Sequence, residues 1–161
     1  MNSRSAIADA SPICYLILIG EIELLPHLFA KVLIPRQMLE ELRVAGAPLA
    51  VRSWAAATPA WISIHDVQSD LQPIPRLQAG EQAAIALALS ANADVILLDE
   101  KSARRFASER GLKIAGILSV LAEAGDLGLV DLATVFDKLA KTNFRYSPGL
   151  LKLILEGFLR P

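Results

Sequence analysis

The chain has 161 residues, 53% of them hydrophobic, and a formal net charge of −1. A chain of that length suits one domain spanning residues 1–161 and buries roughly 70% of its unfolded surface without a disulfide or zinc staple. The near-neutral charge excludes the surface as a whole from holding nucleic acid, so any such binding must rest on a local basic patch. The single cysteine, Cys14, rules out an internal disulfide, and with only His27 and His65 beside it a Cys/His zinc site has too few ligands.

In chain order, residues 4–8 form a short apolar run closed by Asp9 and read as a first strand. Ser11-Pro12 is a helix start, with Ser as N-cap and Pro at the first helical position. That helix runs to about residue 19, where Gly20 stops it. Ile22, Leu25, Leu28 and Phe29 recur at helical spacing, and 31–34 is a short buried strand. Pro35 opens a helix over 36–44, and 48–57 is helical again. Residues 61–67 alternate in polarity and predict a half-buried or edge strand, followed by a loop from 68 to 78 with Pro73 and Pro75. The Ala/Leu-rich segment 80–91 is a strong helix, and 95–98, Val-Ile-Leu-Leu, is the most convincing central strand. A helix over 101–110, a strand over 112–115 and a helix over 117–124 ended by Gly125 follow, then helices at about 131–141 and 148–159. Strands alternating with helices, with solid apolar strand runs, predict an α/β domain whose mainly parallel sheet is covered on both faces.

The apolar run 13–19 is too short to span a bilayer. Asp9 before it and Glu21 and Glu23 after it are wrong for an export signal. A soluble cytoplasmic protein, with no membrane partner, is the expectation.

Four acids stand where a divalent cation would be held: Asp9, Glu41, Glu81 and Asp99. An Asp closing a buried strand opens into the crevice where α/β proteins hold ligands, and Asp9 and Asp99 each close one. Mg²⁺ and Mn²⁺ are hard cations that prefer carboxylate oxygens. A bound ion lowers the pKa of its water and stabilises charge on a phosphodiester. Each position also has an ordinary explanation. Asp9 can cap the helix after it, Asp99 can serve a turn, and Glu81 sits in a first helical turn where the dipole favours any acid. Glu41 adjoins Glu40, and one of the two must point outward. Ser11, two residues after Asp9, can cap its helix or bond the carboxylate, and Glu100 beside Asp99 can replace or supplement a ligand.

Asp9-Ala-Ser-Pro-Ile, Gly20-x-Ile-x-Leu-Leu-Pro and Val32-Leu-Ile-Pro with Glu40-Glu-Leu resemble the N-terminal half of a PIN domain. Gly80-Glu-Gln-Ala-Ala-Ile-Ala-Leu-Ala, Leu97-Leu-Asp-Glu-Lys-Ser-Ala-Arg-Arg and Gly111-Leu-Lys-Ile-Ala-Gly-Ile-Leu-Ser-Val-Leu resemble its second half. The likeness is to VapC-like prokaryotic PIN proteins and covers about 6–159. It implies a three-layer α/β/α sandwich and a metal-dependent ribonuclease of the toxin type, held inactive by a small antitoxin. It also implies catalytic and metal-binding roles for Asp9, Glu41, Glu81 and Asp99, with Mg²⁺ or Mn²⁺ as cofactor and Ser11 as the accompanying hydroxyl. Gly116-Ile117 departs from the Gly-Thr usual in close members, so a hydroxyl near the site is missing.

RNA needs cations along its path. Lys101, Arg104 and Arg105 lie on the helix directly after Asp99 and are the candidate RNA-binding residues, although charges on a helix are commonly its solvated face. Asn143-Phe-Arg-Tyr146 adds two aromatics that can stack an unpaired base. A homodimer is compatible with the apolar content and the resemblance. An alternative is a weak or vestigial PIN-like module that acts mainly by binding a protein partner. A phospho-acceptor receiver would need paired acids after the first strand, but Ala8 precedes Asp9. An aspartate-nucleophile phosphatase would need Asp where Ser11 stands, and no Gly-x-Gly-x-x-Gly supports dinucleotide binding.

Overall fold

The computed structural model describes residues 3–68 and 72–145. Five strands, β1 (Ser5–Ala8), β2 (Lys31–Pro35), β3 (Ile62–His65), β4 (Val95–Leu97) and β5 (Ile114–Ala115), pair in parallel in the order β3-β2-β1-β4-β5. Helices α1 (Ala10–Leu18), α2 (Leu24–Leu28), α3 (Arg36–Leu42), α4 (Leu49–Ala56), α5 (Ala79–Ala91), α6 (Lys101–Glu109), α7 (Ile117–Asp126) and α8 (Leu132–Ala140) connect and flank them.

Side chains on a strand alternate between faces, and this sheet sorts them into two cores. Ile7 and Ile96 point to one side and pack with Ala84, Ile85, Ala88, Ala103 and Ala107 of α5 and α6. Ala6, Ala8, Val32, Ile34, Val95 and Leu97 point to the other, against Ile13 and Leu16 of α1 and Leu118 and Leu121 of α7. Helices on both faces give the three-layer α/β/α arrangement that the apolar strands predict. The alternating segment is the edge strand β3, as expected, because only one side of it is paired.

Two boundaries differ from the sequence reading for physical reasons. α1 begins at Ala10 with Asp9 in the N-cap position, so Ser11-Pro12 lies inside its first turn. Asp9 still belongs to the sheet ladder, its N–H donating to the Leu97 carbonyl at 3.1 Å, which brings the helix start up against the strand end. Gly125 does not end α7. It lies inside the helix because Leu132 packs where a Cβ would be, and the chain turns instead at Gly128, with φ +74°. The expected last helix, 148–159, lies outside the described residues.

The order of the strands sets the position of everything that follows. From β1 the chain goes outward one way to β2 and β3, then returns past β1 to β4 and β5. The carboxyl ends of β1 and β4 therefore flank the point where the winding reverses, which is where open α/β sheets form a crevice. No helix among the described residues is long and apolar enough to cross a membrane.

Ile96 is fully buried in the middle of β4. Ile96→Ala is expected to cost about 2–5 kcal/mol. Chemical denaturation would read this as a lower midpoint at unchanged slope.

Candidate active site

Asp9 and Asp99 follow neighbouring strands at the switch point, and both line one hollow of about 620 Å³. Glu41, Glu81, Glu100 and Ser11 line it too, so the four predicted acids do share one cavity. Of the adjacent pair on α3, Glu41 faces the hollow and Glu40 is exposed.

Helix N-termini hold the acids. Orphan amides and the dipole at a helix start favour negative charge. Glu41 Oε1 accepts from the Gly80 N–H at 2.9 Å, and Glu81 Oε1 accepts from the Gln78 N–H at 2.9 Å as half of a capping box, both at the start of α5. Asp99 Oδ1 accepts from the Ile117 N–H at 3.1 Å at the start of α7. This backbone donor anchors the carboxylate beside Gly116 without a side-chain hydroxyl at position 117. Glu100 is spent differently: its Oε2 accepts from the Ala103 N–H at 2.8 Å and caps α6.

Two glycines make these contacts fit, and neither was singled out as a site residue from the sequence. A Cβ on Gly80 would fall inside the Glu41 carboxylate. A Cβ on Gly116 would lie 2.6 Å from Asp99 Oδ1 and 2.8 Å from Arg104 Nη1. The available signal was a glycine in the first turn of an otherwise Ala/Leu-rich helix, a costly choice unless something must approach closely.

The predicted RNA cations separate. Arg104 turns inward. Its Nη1 donates to the Leu98 carbonyl at 2.8 Å, and its charge favours ionised Asp99. Lys101 and Arg105 stay exposed on α6, Arg105 paired with Glu109 at 3.2 Å. The hollow's other wall is apolar and aromatic: Leu42, Pro48, Val51, Tyr15 and Phe144. Tyr15 and Phe144 meet edge to face at 5.0 Å, and the Tyr15 hydroxyl donates to Asn143 Oδ1 at 2.6 Å. Tyr146 lies outside the described residues. Cys14, half-buried, also lines the hollow, and burial pushes its thiol up.

Among the described residues, two carboxylate oxygens of the hollow break the rule that buried polar atoms are paired. Asp9 Oδ1 and Asp99 Oδ2 are buried without a hydrogen-bond partner. Burial pushes Asp9 up to about 7, the Ala10 amide opposing and Glu81, Glu41 and Asp99 adding repulsion. Burial pushes Asp99 up to about 6 against the pull of the Ile117 amide and Arg104. Burial also raises Glu41 and Glu81, each opposed by its backbone amide. A hollow that penalises carboxylates this much suits a bound cation, which would relieve both desolvation and repulsion.

The sign of the pH effect follows. An aspartate whose folded value lies above its ordinary 3.8 binds more protons folded than unfolded between about pH 4 and 7, so stability is lost as pH rises through that window. Asp9→Asn cannot ionise. Without divalent ions it is expected to melt higher than the native chain at pH 8, by about 2–4 °C for each kcal/mol relieved, with the gap closing toward pH 5. An equal or lower melting temperature at pH 8, read by circular dichroism, would contradict the burial of an unpaired charge.

Comparison with known proteins bears on the fold and the family. A solved structure of a PilT N-terminus domain protein from the hyperthermophilic archaeon Sulfolobus solfataricus P2 superimposes with a TM-score of 0.54 at 17% identity, covering 74% of this chain and 92% of that one. At that identity the likeness is one of fold. Comparison with curated proteins gives no match. The family DUF3368, PIN domain, matches residues 5–158, nearly the whole sequence, and the chain belongs to that PIN-domain family.

Proposed function

We propose that this protein is a divalent-metal-dependent endoribonuclease and the toxin component of a toxin–antitoxin pair. PIN domains are typically nucleases. The observation that carries the reading here is the pair of buried, unpartnered oxygens, Asp9 Oδ1 and Asp99 Oδ2, on adjacent strand ends in one hollow.

The donor set fits Mg²⁺ or Mn²⁺. All its atoms are hard oxygens. Among the described residues no three Asp, Glu, His or Cys side chains close on one point as a finished ligand shell. An ion here would take one or two carboxylates and keep waters, the habit of Mg²⁺ at sites that bind phosphate. Asp9 and Asp99 would hold it, with Glu41 and Glu81 acting through water. Bound there, the cation supplies an activated water and neutralises charge developing on the phosphodiester. The chain's own residues do the rest. The amides of Gly80, Gln78 and Ile117 fix three carboxylates before substrate arrives, so little reorganisation remains. Arg104 balances Asp99. The Tyr15–Phe144 wall offers an aromatic face for a base beside the scissile phosphate.

One observation favours the partner-binding reading as well. Val44 is 55% and Leu49 70% exposed, next to Ala47 and Pro48 on the rim of the hollow. Apolar rims of this kind mark interaction sites. A small antitoxin could cover that rim and insert an Arg or Lys among the acids, in place of the cation. If partner binding is the main role and the site is vestigial, titration calorimetry will show no Mn²⁺ uptake at pH 8.

The decisive assay is cleavage of single-stranded RNA with Mg²⁺, with Mn²⁺ and with EDTA. Cleavage is expected only with metal. Asp9→Asn should lower the rate at least about 100-fold, equivalent to about 2.7 kcal/mol of transition-state stabilisation. Full activity in that variant, above a mock-purified control, would refute the assignment. Gly116→Ala should fold, because only side-chain ends must move, yet lose about 10- to 100-fold in activity as Asp99 is displaced. Unchanged activity there would mean that the position of Asp99 does not matter.

A further inference from the structure

A second hollow, of about 350 Å³, lies beside the acidic one. The two share their walls through chain neighbours. Gln78 and Glu100 line the acidic hollow, while Leu77 and Lys101 line the second. The second hollow has the opposite charge: Arg76, Lys101 and Arg105 against one acid, Glu109. On a chain whose net charge is −1, three cations converging on one groove form a local patch of the kind a polyanion needs.

The groove is built by two independent elements. Lys101 and Arg105 are four apart on α6 and so share one face of it. Arg76 comes from the loop between β3 and α5, and its backbone is held at φ +68°, where an L side chain other than Asn or Asp rarely sits. The loop is tied down there. Leu77 N–H donates to the Ile74 carbonyl at 3.1 Å, Ile74 N–H donates to Gln82 Oε1 at 3.3 Å, and Gln82 Nε2 donates to the Gln72 carbonyl at 2.5 Å. Strained backbone of this kind clusters at ligand clamps and other functional sites, and here it carries a cation of the groove. Phe106 lines the same groove, and the Arg110 guanidinium lies 3.2 Å from the centroid of its ring, adding a fourth cation at the margin. The Arg105–Glu109 pair does not neutralise the groove. Both side chains are more than half exposed, and such pairs contribute little and exchange with other partners.

We propose that Arg76, Lys101 and Arg105 form the track for the backbone of single-stranded RNA leading into the Asp9–Asp99 hollow. The track binds the phosphates that flank the scissile one. This rests on the nuclease reading above and assigns it a substrate path, with Arg76 as a binding residue. A linear polyanion fits better than a single small anion, because the basic groove is open and lies next to the acidic hollow, with Leu77 and Lys101 lining one and their chain neighbours Gln78 and Glu100 the other. The repulsion between acids and phosphate then falls on the one phosphate that meets the cation.

The test separates binding from cleavage. Binding of a fluorescein-labelled 12-nucleotide single-stranded RNA is measured by anisotropy over a range of salt, in the Asp9→Asn background, where the RNA stays intact. Changing Arg76, Lys101 and Arg105 together to Glu is expected to weaken binding about tenfold or more and to flatten the salt slope by about 2, since each lost phosphate contact removes roughly 0.7 on a single strand. Arg76→Asn alone, which tolerates the left-handed backbone, should flatten the slope by about 0.7. In the otherwise native chain the triple change should raise KM on RNA by about tenfold or more, a larger effect than its effect on kcat. Unaltered affinity and slope in the triple variant would overturn the track while leaving the nuclease assignment standing. Equal affinity for a polyglutamate chain of matching charge would overturn it in favour of an acidic protein partner. Loss of RNA cleavage in the Asp9→Asn chain, with RNA binding retained, supports both readings at once.

Discussion

The structure turns on two carboxylates that are buried side by side with nothing among the described residues to neutralise them fully. Asp9 and Asp99 close adjacent parallel strands at the point where the sheet reverses its winding. Each has one buried oxygen without a partner. A protein pays for such an arrangement in stability, since desolvation and mutual repulsion both oppose the ionised form. Much of the surrounding architecture limits that cost. The starts of α5 and α7 supply amides, Arg104 supplies a charge, and two glycines let the carboxylates approach backbone that any side chain would block.

Stability and the proposed function therefore conflict at this place. A hollow that favours protonated aspartates would favour ionised ones with a cation between them, so affinity for the proposed metal is expected to rise with pH across the range in which Asp9 and Asp99 titrate. Precise support by backbone amides matters more here than the number of ligands. An amide on a helix start cannot rotate away, whereas a hydroxyl can, and at Ile117 it is the backbone that holds Asp99.

Much of this was legible in the sequence, for definite reasons. Val95-Ile-Leu-Leu reads as a central strand because a strand covered on both faces has no polar position, and an Asp directly after it must sit at the sheet's carboxyl edge. The alternation around Ile62 and Ile64 betrayed the edge strand in the same way. On α3, the buried stripe of Met38, Leu39 and Leu42 places Glu41 nearer the core than Glu40, so the choice between them was within reach of helical periodicity. Other features were hidden because their causes lie far away in the chain. Gly80 is required by a carboxylate 39 positions earlier, and Gly125 by Leu132 on the next helix. Ser11-Pro12 carries the usual local signal for a helix start, but the ladder bond from Asp9 to Leu97 moves that start upstream. Arg104 looks like a surface cation in sequence. Its place is decided by a strand-end carbonyl that needs a donor.

Diffraction from crystals grown with Mn²⁺ at pH 8, collected at a wavelength where manganese scatters anomalously, tests the central claim most directly. The account predicts an anomalous peak in contact with Asp9 Oδ1 and Asp99 Oδ2, absent from Asp9→Asn crystals grown the same way. A peak elsewhere on the molecule, or the two carboxyl groups sharing a proton with no ion between them at that pH, would contradict it.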